Sequence, residues 1–223
     1  MPQNLYREIN RDSSRKRLLK YTRKAFKLLP KLDKPRILDV GCGSGVQTLE
    51  LARLSKGEVV GIDINQSLID EVNRKIRREG FSNRVKAETC SVVELDFPDE
   101  SFDVIWVEAA IHAIGFEKGL KKLRPLLKPN GFLVLHEEMR KVSSELEETP
   151  SLGYQLMKHF LLPADAHWVD YYEPLESRIK GLREKHKDNS EALKMLKQVQ
   201  DEIDMVKENP SKFRSAFYIM KKI

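Results

Sequence analysis

The chain has 223 residues, of which 40% are hydrophobic and 33% charged, and its formal net charge is +6 at pH 7. This length suits one domain with a full-sized core, and no apolar run approaches the ~20 residues that span a bilayer. The two cysteines supply neither a disulfide framework nor a zinc site, and the N-terminus lacks an apolar signal segment, so we expect a cytoplasmic protein.

The positive charge is concentrated before the first predicted strand. Residues 1–36 hold 12 Lys and Arg against 3 Asp and Glu, a local charge of +9, so the other 187 residues sum to −3. Residues 1–14 have no clear period, which predicts a mobile arm, whereas residues 15–29 fit a basic amphipathic helix. The basic face of this helix is open to three interpretations: a solvated surface, weak contact with an anionic membrane, or weak contact with RNA.

A glycine-rich turn follows the first predicted strand, residues 36–40, and leads into a predicted helix at 46–55. The motif D-x-G-x-G-x-G spans residues 39–45, and its glycines let the backbone turn tightly and let a ligand lie against bare main chain. A second apolar strand, 58–63, ends in Asp63, where a carboxylate can accept hydrogen bonds from ribose hydroxyls. The sequence therefore predicts a nucleoside-bearing cofactor at the carboxyl edge of a parallel sheet.

The spacing of the turn discriminates between cofactors. The dinucleotide fingerprint is G-x-G-x-x-G, whereas here Asp39 stands two residues before the first of three alternate glycines. A carboxylate at that point would repel a pyrophosphate but suits the ammonium or sulfonium of S-adenosylmethionine. The motif favours S-adenosylmethionine, and a dinucleotide or a turn without a ligand are the alternatives.

Predicted strands and helices alternate along the rest of the chain. They are a helix at 67–79, strands near 84–89, 102–107, 131–137, the second half of 153–162 and 216–221, and a helix at 116–127. This alternation indicates an α/β fold with a doubly wound, mostly parallel seven-stranded sheet. Between the last two strands, two further predicted helices at 173–186 and 189–208 form a helical insertion.

In three places the chain resembles the class I S-adenosylmethionine-dependent methyltransferases. Residues 101–106 are similar to that family's fourth strand, 126–135 to its turn into strand five, and 217–220 to its last strand. The likeness runs from about residue 25 to residue 162 before it returns at 217–220. It looks closest to the small-molecule branch that includes ubiquinone/menaquinone C-methyltransferases.

This resemblance implies one Rossmann-like methyltransferase domain over residues 1–223. Its parts would be an N-terminal arm and basic helix (1–35), a cofactor-binding core (36–162), the helical insertion (163–212) and the last strand (213–223).

The resemblance also implies which residues bind the cofactor. The glycine backbone would approach the methionine and ribose portions, Asp39 would lie near the ammonium, and Asp63 would hold the ribose diol. Ser91 stands where the family usually has an acid for the adenine amino group, so either its hydroxyl would take that role or recognition would be left to the Val92 backbone. The full predicted set is Asp39, Gly41, Cys42, Gly43, Gly45, Asp63, Ile64, Ser91, Val92 and Val107.

Catalytic residues are expected just beyond strand four. Methyltransferases that act on base amino groups usually carry an Asn/Asp-Pro-Pro-aromatic motif here, and this chain has none. Glu108 and His112 are four residues apart, so a helical turn would put them on one face, with His112 the better base because its pKa lies near working pH. Two alternatives are that His112 only covers the cofactor and that Glu108 holds its ammonium.

Two further groups of side chains are candidates. Trp168, Tyr171 and Tyr172 in the insertion would either line a substrate pocket or fix the insertion to the sheet. Residues 136–138 have metal-ligand chemistry, but neighbours on a strand point to alternate faces, so we predict no metal site.

The sequence therefore predicts an S-adenosylmethionine-dependent methyltransferase with a small-molecule acceptor. One alternative is a methyltransferase of RNA or protein that uses the basic N-terminal segment. Another is a cofactor-binding protein without turnover.

Overall fold

A seven-stranded sheet organises the larger part of the molecule. The computed structural model describes residues 2–139, 142 and 146–223, and the strand order from edge to edge is β3-β2-β1-β4-β5-β7-β6. The strands are β1 Arg36–Val40, β2 Glu58–Asp63, β3 Val85–Thr89, β4 Phe102–Glu108, β5 Leu127–Glu138, β6 Tyr154–Leu161 and β7 Ser215–Lys222. Strands β1 to β5 pair in parallel, whereas β7 is antiparallel to both β5 and β6. The predicted doubly wound, mostly parallel α/β sheet is confirmed.

The helices alternate with the strands and continue into the insertion. They are α1 Pro2–Ile9, α2 Arg11–Leu28, α3 Val46–Ser55, α4 Gln66–Arg78, α5 Phe116–Leu123, α6 Glu173–Lys185 and α7 Ser190–Glu208. Short 3₁₀ turns lie at Val92–Glu94, Ile111–Ala113, Leu146–Glu148 and Pro210–Phe213, and a π-helical turn lies at Trp168–Tyr172.

The direction in which the sheet grows changes at β1. The chain builds outwards from β1 through β2 to β3, and then returns to place β4 on the other side of β1. In open α/β sheets, ligands bind outside the carboxyl ends of the strands at such a reversal. The topology therefore predicts a ligand site at the carboxyl ends of β1, β2 and β4.

Apolar side chains from the strands form the core around this reversal. Leu38, Ile105 and Leu133 are fully buried, each on a different central strand. Trp106 is also fully buried, and its ring lies 6.4 Å from that of Phe26 and 6.3 Å from that of Phe217. The strand ends are thus held on a rigid, well-packed support.

Residues 1–14, predicted to be a mobile arm, are almost entirely helical, because α1 and the first turn of α2 cover them. The two helices meet at Asn10, which has a φ of +47°. Leu5 and Ile9 on α1 are buried against the apolar faces of α6 and α7, in a cluster that includes Ile179 and Leu196. These partners lie about 170 residues further along the chain, so the local sequence gives no sign of them.

Three other boundaries differ from prediction by several residues. The helix expected at 116–127 ends at Leu123, and β5 begins at Leu127 rather than at residue 131. Phe102 pairs with Leu127 across an irregularity in the β4–β5 ladder, which extends β5 backwards. Strand β6 occupies nearly all of 153–162 rather than its second half.

The chain divides into two compact units. The sheet unit comprises Tyr21–Leu161 and Ser215–Ile223, and the helical unit comprises the residues up to Lys20 together with Leu162–Arg214. The single domain predicted from the sequence stays a prediction. Within the ranges that the structure describes, no helix has both the length and the apolar character needed to cross a membrane.

Candidate functional site

The glycine turn after β1 has one open position between two closely packed ones. Gly41, Gly43 and Gly45 all have positive φ angles, of +70°, +54° and +80°. A Cβ on Gly41 would lie 2.6 Å from the Cβ of Ala110, and one on Gly45 would lie 2.8 Å from Val72. A Cβ on Gly43 would meet nothing within 4 Å. The main chain at Gly43 is therefore the part of the turn against which a ligand can lie.

Cys42 has a packing role in this turn. It is 3% exposed, and burial raises the pKa of its thiol above the ordinary range, with the charges of Asp39 and Asp63 adding to the effect. A Cβ on Gly61 would lie 3.1 Å from its Sγ, so β2 needs a glycine opposite the thiol. A buried thiol of raised pKa is a poor nucleophile.

Asp63 is fixed in position at the end of β2. Its Oδ2 accepts a hydrogen bond from the backbone N–H of Gly43 at 2.9 Å, and its Oδ1 accepts one from the N–H of Asn65 at 2.9 Å. The next residue, Ile64, is 77% exposed, which is unusual for a large aliphatic side chain beside a sheet edge. A carboxylate and an apolar surface thus stand side by side next to Gly43.

Ser91 and Val92 follow β3 on the same edge. The backbone N–H of Cys90 bonds to the carbonyl of Asp63 at 3.1 Å, which joins this loop to the end of β2. Ser91 Oγ accepts a hydrogen bond from the N–H of Val93 at 3.3 Å and caps the short turn that follows. Val92 is 9% exposed. The hydroxyl hydrogen of Ser91 is still able to donate to another group.

Asp39 is a buried carboxylate on β1. Its Oδ2 accepts a hydrogen bond from Thr48 Oγ1 at 2.6 Å. Burial raises the pKa of Asp39 to about 7; the Thr48 hydrogen bond opposes this rise, and the nearby charges of Glu108 and Asp63 add to it. A cation brought close to this carboxyl group would favour its ionised form.

Glu108, at the end of β4, is a second buried carboxylate. Its Oε1 accepts hydrogen bonds from Trp106 Nε1 at 2.7 Å and Thr22 Oγ1 at 2.9 Å, and its Oε2 accepts one from Gln47 Nε2 at 3.3 Å. Burial raises the pKa of Glu108, and these three neutral donors oppose the rise. The carboxyl group therefore favours an additional cation, as Asp39 does.

The predicted shared helical face of Glu108 and His112 is wrong. Glu108 ends a strand, whereas His112 lies in the 3₁₀ turn 111–113. The backbone between them bends at Ala109, which has a φ of +54°. His112 Nδ1 instead lies 2.8 Å from Glu137 Oε2 at the end of β5.

The strand alternation expected at residues 136–138 is present. His136 stacks on Phe217 at 4.4 Å and its Nε2 lies 2.9 Å from Ser215 Oγ, whereas Glu137 contacts His112. Among the described residues there is no group of three His, Cys, Asp or Glu side chains that could hold a metal ion. The sequence did not identify Glu137 as a partner of His112. The feature that could have indicated it is its position at the carboxyl end of a predicted strand.

Val107 and the aromatic residues of the insertion lie in different surroundings. Val107 is fully buried in the core of the sheet. In the helical unit, Arg11 donates to the Tyr171 hydroxyl at 3.0 Å and pairs with Glu202 at 2.6 Å, while the Tyr172 hydroxyl donates to Glu202 at 3.3 Å.

These contacts tie the two tyrosines to helix α7 within their own unit. Trp168 is similarly covered by the Lys207 ammonium, 5.2 Å from the ring centroid. Both alternatives for Trp168, Tyr171 and Tyr172, substrate contact and attachment of the insertion to the sheet, stay predictions.

Comparison with known proteins gives consistent findings. Residues 37–131 match the family model described as a methyltransferase domain. The chain is 34% identical over 176 residues to a sterol 24-C-methyltransferase of Aspergillus fumigatus, a match that covers 66% of this chain and 47% of that protein. The chain spans about half the length of the curated relatives it matches first.

Solved structures show the same fold. The [4+2]-cyclase SpnF superposes with a TM-score of 0.77 at 17% identity, covering 91% of this chain and 80% of that one. A Geobacter sulfurreducens S-adenosylmethionine-dependent methyltransferase in complex with S-adenosylhomocysteine superposes with a TM-score of 0.71 at 19% identity, covering 92% of this chain and 90% of that one.

Proposed function

We propose that this chain, whose residues 37–131 match the model of a methyltransferase domain, is a class I S-adenosylmethionine-dependent methyltransferase that transfers the methyl group of that cofactor to a small-molecule acceptor. The observation that carries the proposal is the open main chain at Gly43 with Asp63 hydrogen-bonded beside it. The predicted likeness to the quinone C-methyltransferase branch stays a prediction.

The residues present fit S-adenosylmethionine. Asp63 would accept hydrogen bonds from the ribose diol while both its oxygens stay anchored, because a carboxylate has about four acceptor positions. Ile64 would lie against the adenine ring, which would give its exposed side chain an apolar partner. Ser91 would donate its hydroxyl hydrogen to a ring nitrogen, and Val92 would close the apolar side of this pocket.

The two buried carboxyl groups fit the cationic end of the cofactor. Asp39 and Glu108 lie at the ends of adjacent strands, and burial raises the pKa of each. A cation beside them would lower both pKa values towards the ordinary range and recover part of the free energy lost on burial. We therefore assign the ammonium of the cofactor to this pair of side chains, with the backbone of Gly41 and Gly45 shaping the turn around it.

When bound, S-adenosylmethionine supplies a methyl group on a sulfonium, which is already an excellent leaving group. What remains for the protein is to align the acceptor, exclude water and remove a proton where the acceptor carries one. His112 is the proposed general base, since its side chain is 44% exposed beside the same sheet edge.

Basic residues of the N-terminal segment have acidic partners from later in the chain. Arg11 pairs with Glu202, Lys20 with Asp170 and Arg23 with Glu50. These pairs involve three of the 12 basic residues of the segment, so part of its charge is already engaged within the molecule and the segment alone does not favour an RNA acceptor. An RNA methyltransferase would need this charge free for phosphates.

Calorimetric titration tests the proposal. We expect S-adenosylmethionine and S-adenosylhomocysteine to bind and NAD not to bind. Replacing Asp63 by Ala should weaken cofactor binding by about 1–3 kcal/mol, because the ribose diol loses its acceptor. Asp70→Ala, which removes an exposed carboxylate bonded to Gln66 on α4, is the matched control and should bind as the wild type does.

Two results would count against the proposal. Unchanged affinity in Asp63→Ala, in a variant whose unfolding midpoint shows it to be folded, would refute the placement of the ribose. Cofactor binding without production of S-adenosylhomocysteine from any small-molecule pool would instead support a cofactor-binding protein without turnover.

A further inference from the structure

Glu137, the partner of His112, is a buried carboxylate that is held by a second hydrogen bond. The Glu137 side chain is 1% exposed, and its Oε2 lies 2.8 Å from His112 Nδ1. Its other oxygen, Oε1, accepts a hydrogen bond from the backbone N–H of Glu138 at 3.0 Å. The carboxylate is therefore held in one orientation by the strand itself.

The turn that carries His112 is equally well supported. Ile111 is 1% exposed and packs so closely on α5 that a Cβ on Gly119 would lie 2.4 Å from its Cδ1. The backbone N–H of Ala109 bonds to the carbonyl of His136 at 2.8 Å, which joins the start of this turn to β5. The imidazole is thus placed by fixed elements on both sides.

This arrangement determines which ring nitrogen is basic. An ionised carboxylate only accepts hydrogen bonds, so Nδ1 of a neutral His112 must carry the proton. The lone pair then lies on Nε2, at the end of the ring away from Glu137. A carboxylate that holds one tautomer in this way also stabilises the imidazolium that forms when Nε2 takes up a proton.

The turn 111–113, which carries His112, lies on the cofactor edge of the sheet. Ala110, two residues before His112, is the residue whose Cβ would meet a Cβ on Gly41 at 2.6 Å. The turn that carries the base is therefore in contact with the glycine turn.

We propose that Glu137 is a positioning residue that makes Nε2 of His112 the base, and that the acceptor is a small molecule methylated on a hydroxyl oxygen. This inference rests on the proposed function. A tertiary amine or a thioether carries no proton on the attacking atom, so its methylation does not need a base. A hydroxyl oxygen becomes strongly acidic as the methyl group joins it, so an imidazole suffices to remove its proton.

The reaction balances with these groups alone. The new bond joins the acceptor oxygen to the methyl carbon, and the bond from that carbon to sulfur breaks with its electron pair left on sulfur. The hydroxyl proton moves to Nε2 of His112, and the imidazolium is held by Glu137 until the proton passes to water. The products are the methyl ether, S-adenosylhomocysteine and one proton.

Replacing Glu137 by Gln tests this role, because the backbone N–H of Glu138 determines the orientation of the new amide. The N–H of Glu138 needs an acceptor, so the amide oxygen must face it and the amide NH₂ must face His112. Nδ1 then has to accept, and the proton moves to Nε2. We expect ¹⁵N NMR of labelled histidine at alkaline pH to show an Nδ1–H tautomer in the wild type and an Nε2–H tautomer in Glu137→Gln.

Function is measured on the same proteins. Pools of small alcohols and phenols, of amines and of alkenes are offered with S-adenosylmethionine, and S-adenosylhomocysteine is quantified. We expect turnover in the hydroxyl pool, a fall of about 100-fold in Glu137→Gln, a similar fall in His112→Asn, and no change in Glu117→Gln, which alters an exposed carboxylate on α5. Cofactor affinity should be the same in all four proteins.

The outcomes separate this inference from the proposed function. Failure of the wild type to bind S-adenosylmethionine would overturn the proposed function. With binding intact, an unchanged tautomer in Glu137→Gln overturns the positioning role. Turnover confined to the amine or alkene pool, or absent from the hydroxyl pool, overturns the acceptor class.

Discussion

Replacing Asp39 by Asn should change how the stability of the protein depends on pH. The carboxyl group is 2% exposed, and Thr48 Oγ1 donates to it at 2.6 Å. Asparagine has nearly the same shape, and its amide oxygen can accept the same hydrogen bond. The substitution therefore removes the ionisation of this group with little change in packing.

The magnitude follows from the raised pKa of Asp39. In the unfolded chain this carboxyl group ionises near its ordinary value of 3.8, whereas in the folded protein it ionises near about 7. Between those values the folded state keeps a proton that the unfolded state has released, so rising pH favours unfolding. Since one pKa unit corresponds to about 1.4 kcal/mol, the wild type should lose about 4 kcal/mol between pH 4 and pH 8 relative to Asp39→Asn.

Urea unfolding followed by circular dichroism at several pH values measures this difference. Asp99→Asn, which changes an exposed aspartate, should follow the wild-type curve and serves as the control. The difference in unfolding free energy between wild type and Asp39→Asn should be smallest near pH 4 and reach its full size near pH 8. Parallel curves for these two proteins over that range would refute the burial argument.

Three further substitutions test the glycine turn and the helical unit. Gly43→Ala should cost about 1 kcal/mol of stability, because alanine disfavours a positive φ, but should abolish measurable cofactor binding in calorimetry. Gly45→Ala should destabilise more, since its Cβ would also clash with Val72, and equal unfolding midpoints for the two variants would contradict this. Arg11→Met should destabilise the protein by about 1–3 kcal/mol through the loss of charged hydrogen bonds to Glu202, which thermal unfolding measures. A midpoint unchanged from the wild type would show that the pair contributes nothing.

The parts of the fold that the sequence predicted are those with local signals. The limits of β1, α3 and β2 agree with the structure to the residue, because continuous apolar runs, a glycine turn and a helix period all coincide there. Helix α1 and the first turn of α2 were missed, and for α1 the reason is that Leu5 and Ile9 acquire their apolar partners only from α6 and α7. Local periodicity cannot report a partner so distant in sequence.

The same distinction applies to the candidate site. The glycine turn and Asp63 are visible as a motif, and the structure joins them through the hydrogen bond from Gly43. The bond from Thr22 to Glu108 spans 86 residues, and the contact between His112 and Glu137 spans 25. Such pairs depend on the register of neighbouring strands, which a single sequence does not specify.

The position of β7 has a consequence for the order of folding. This strand comes last of the seven in the chain, yet it lies between β5 and β6 and pairs with both. β6 therefore has no strand to pair with until β7 is synthesised, and β5 keeps one unpaired edge. Contacts between such distant segments close slowly, so completion of the sheet is expected to be a late step, during which exposed strand edges are open to aggregation.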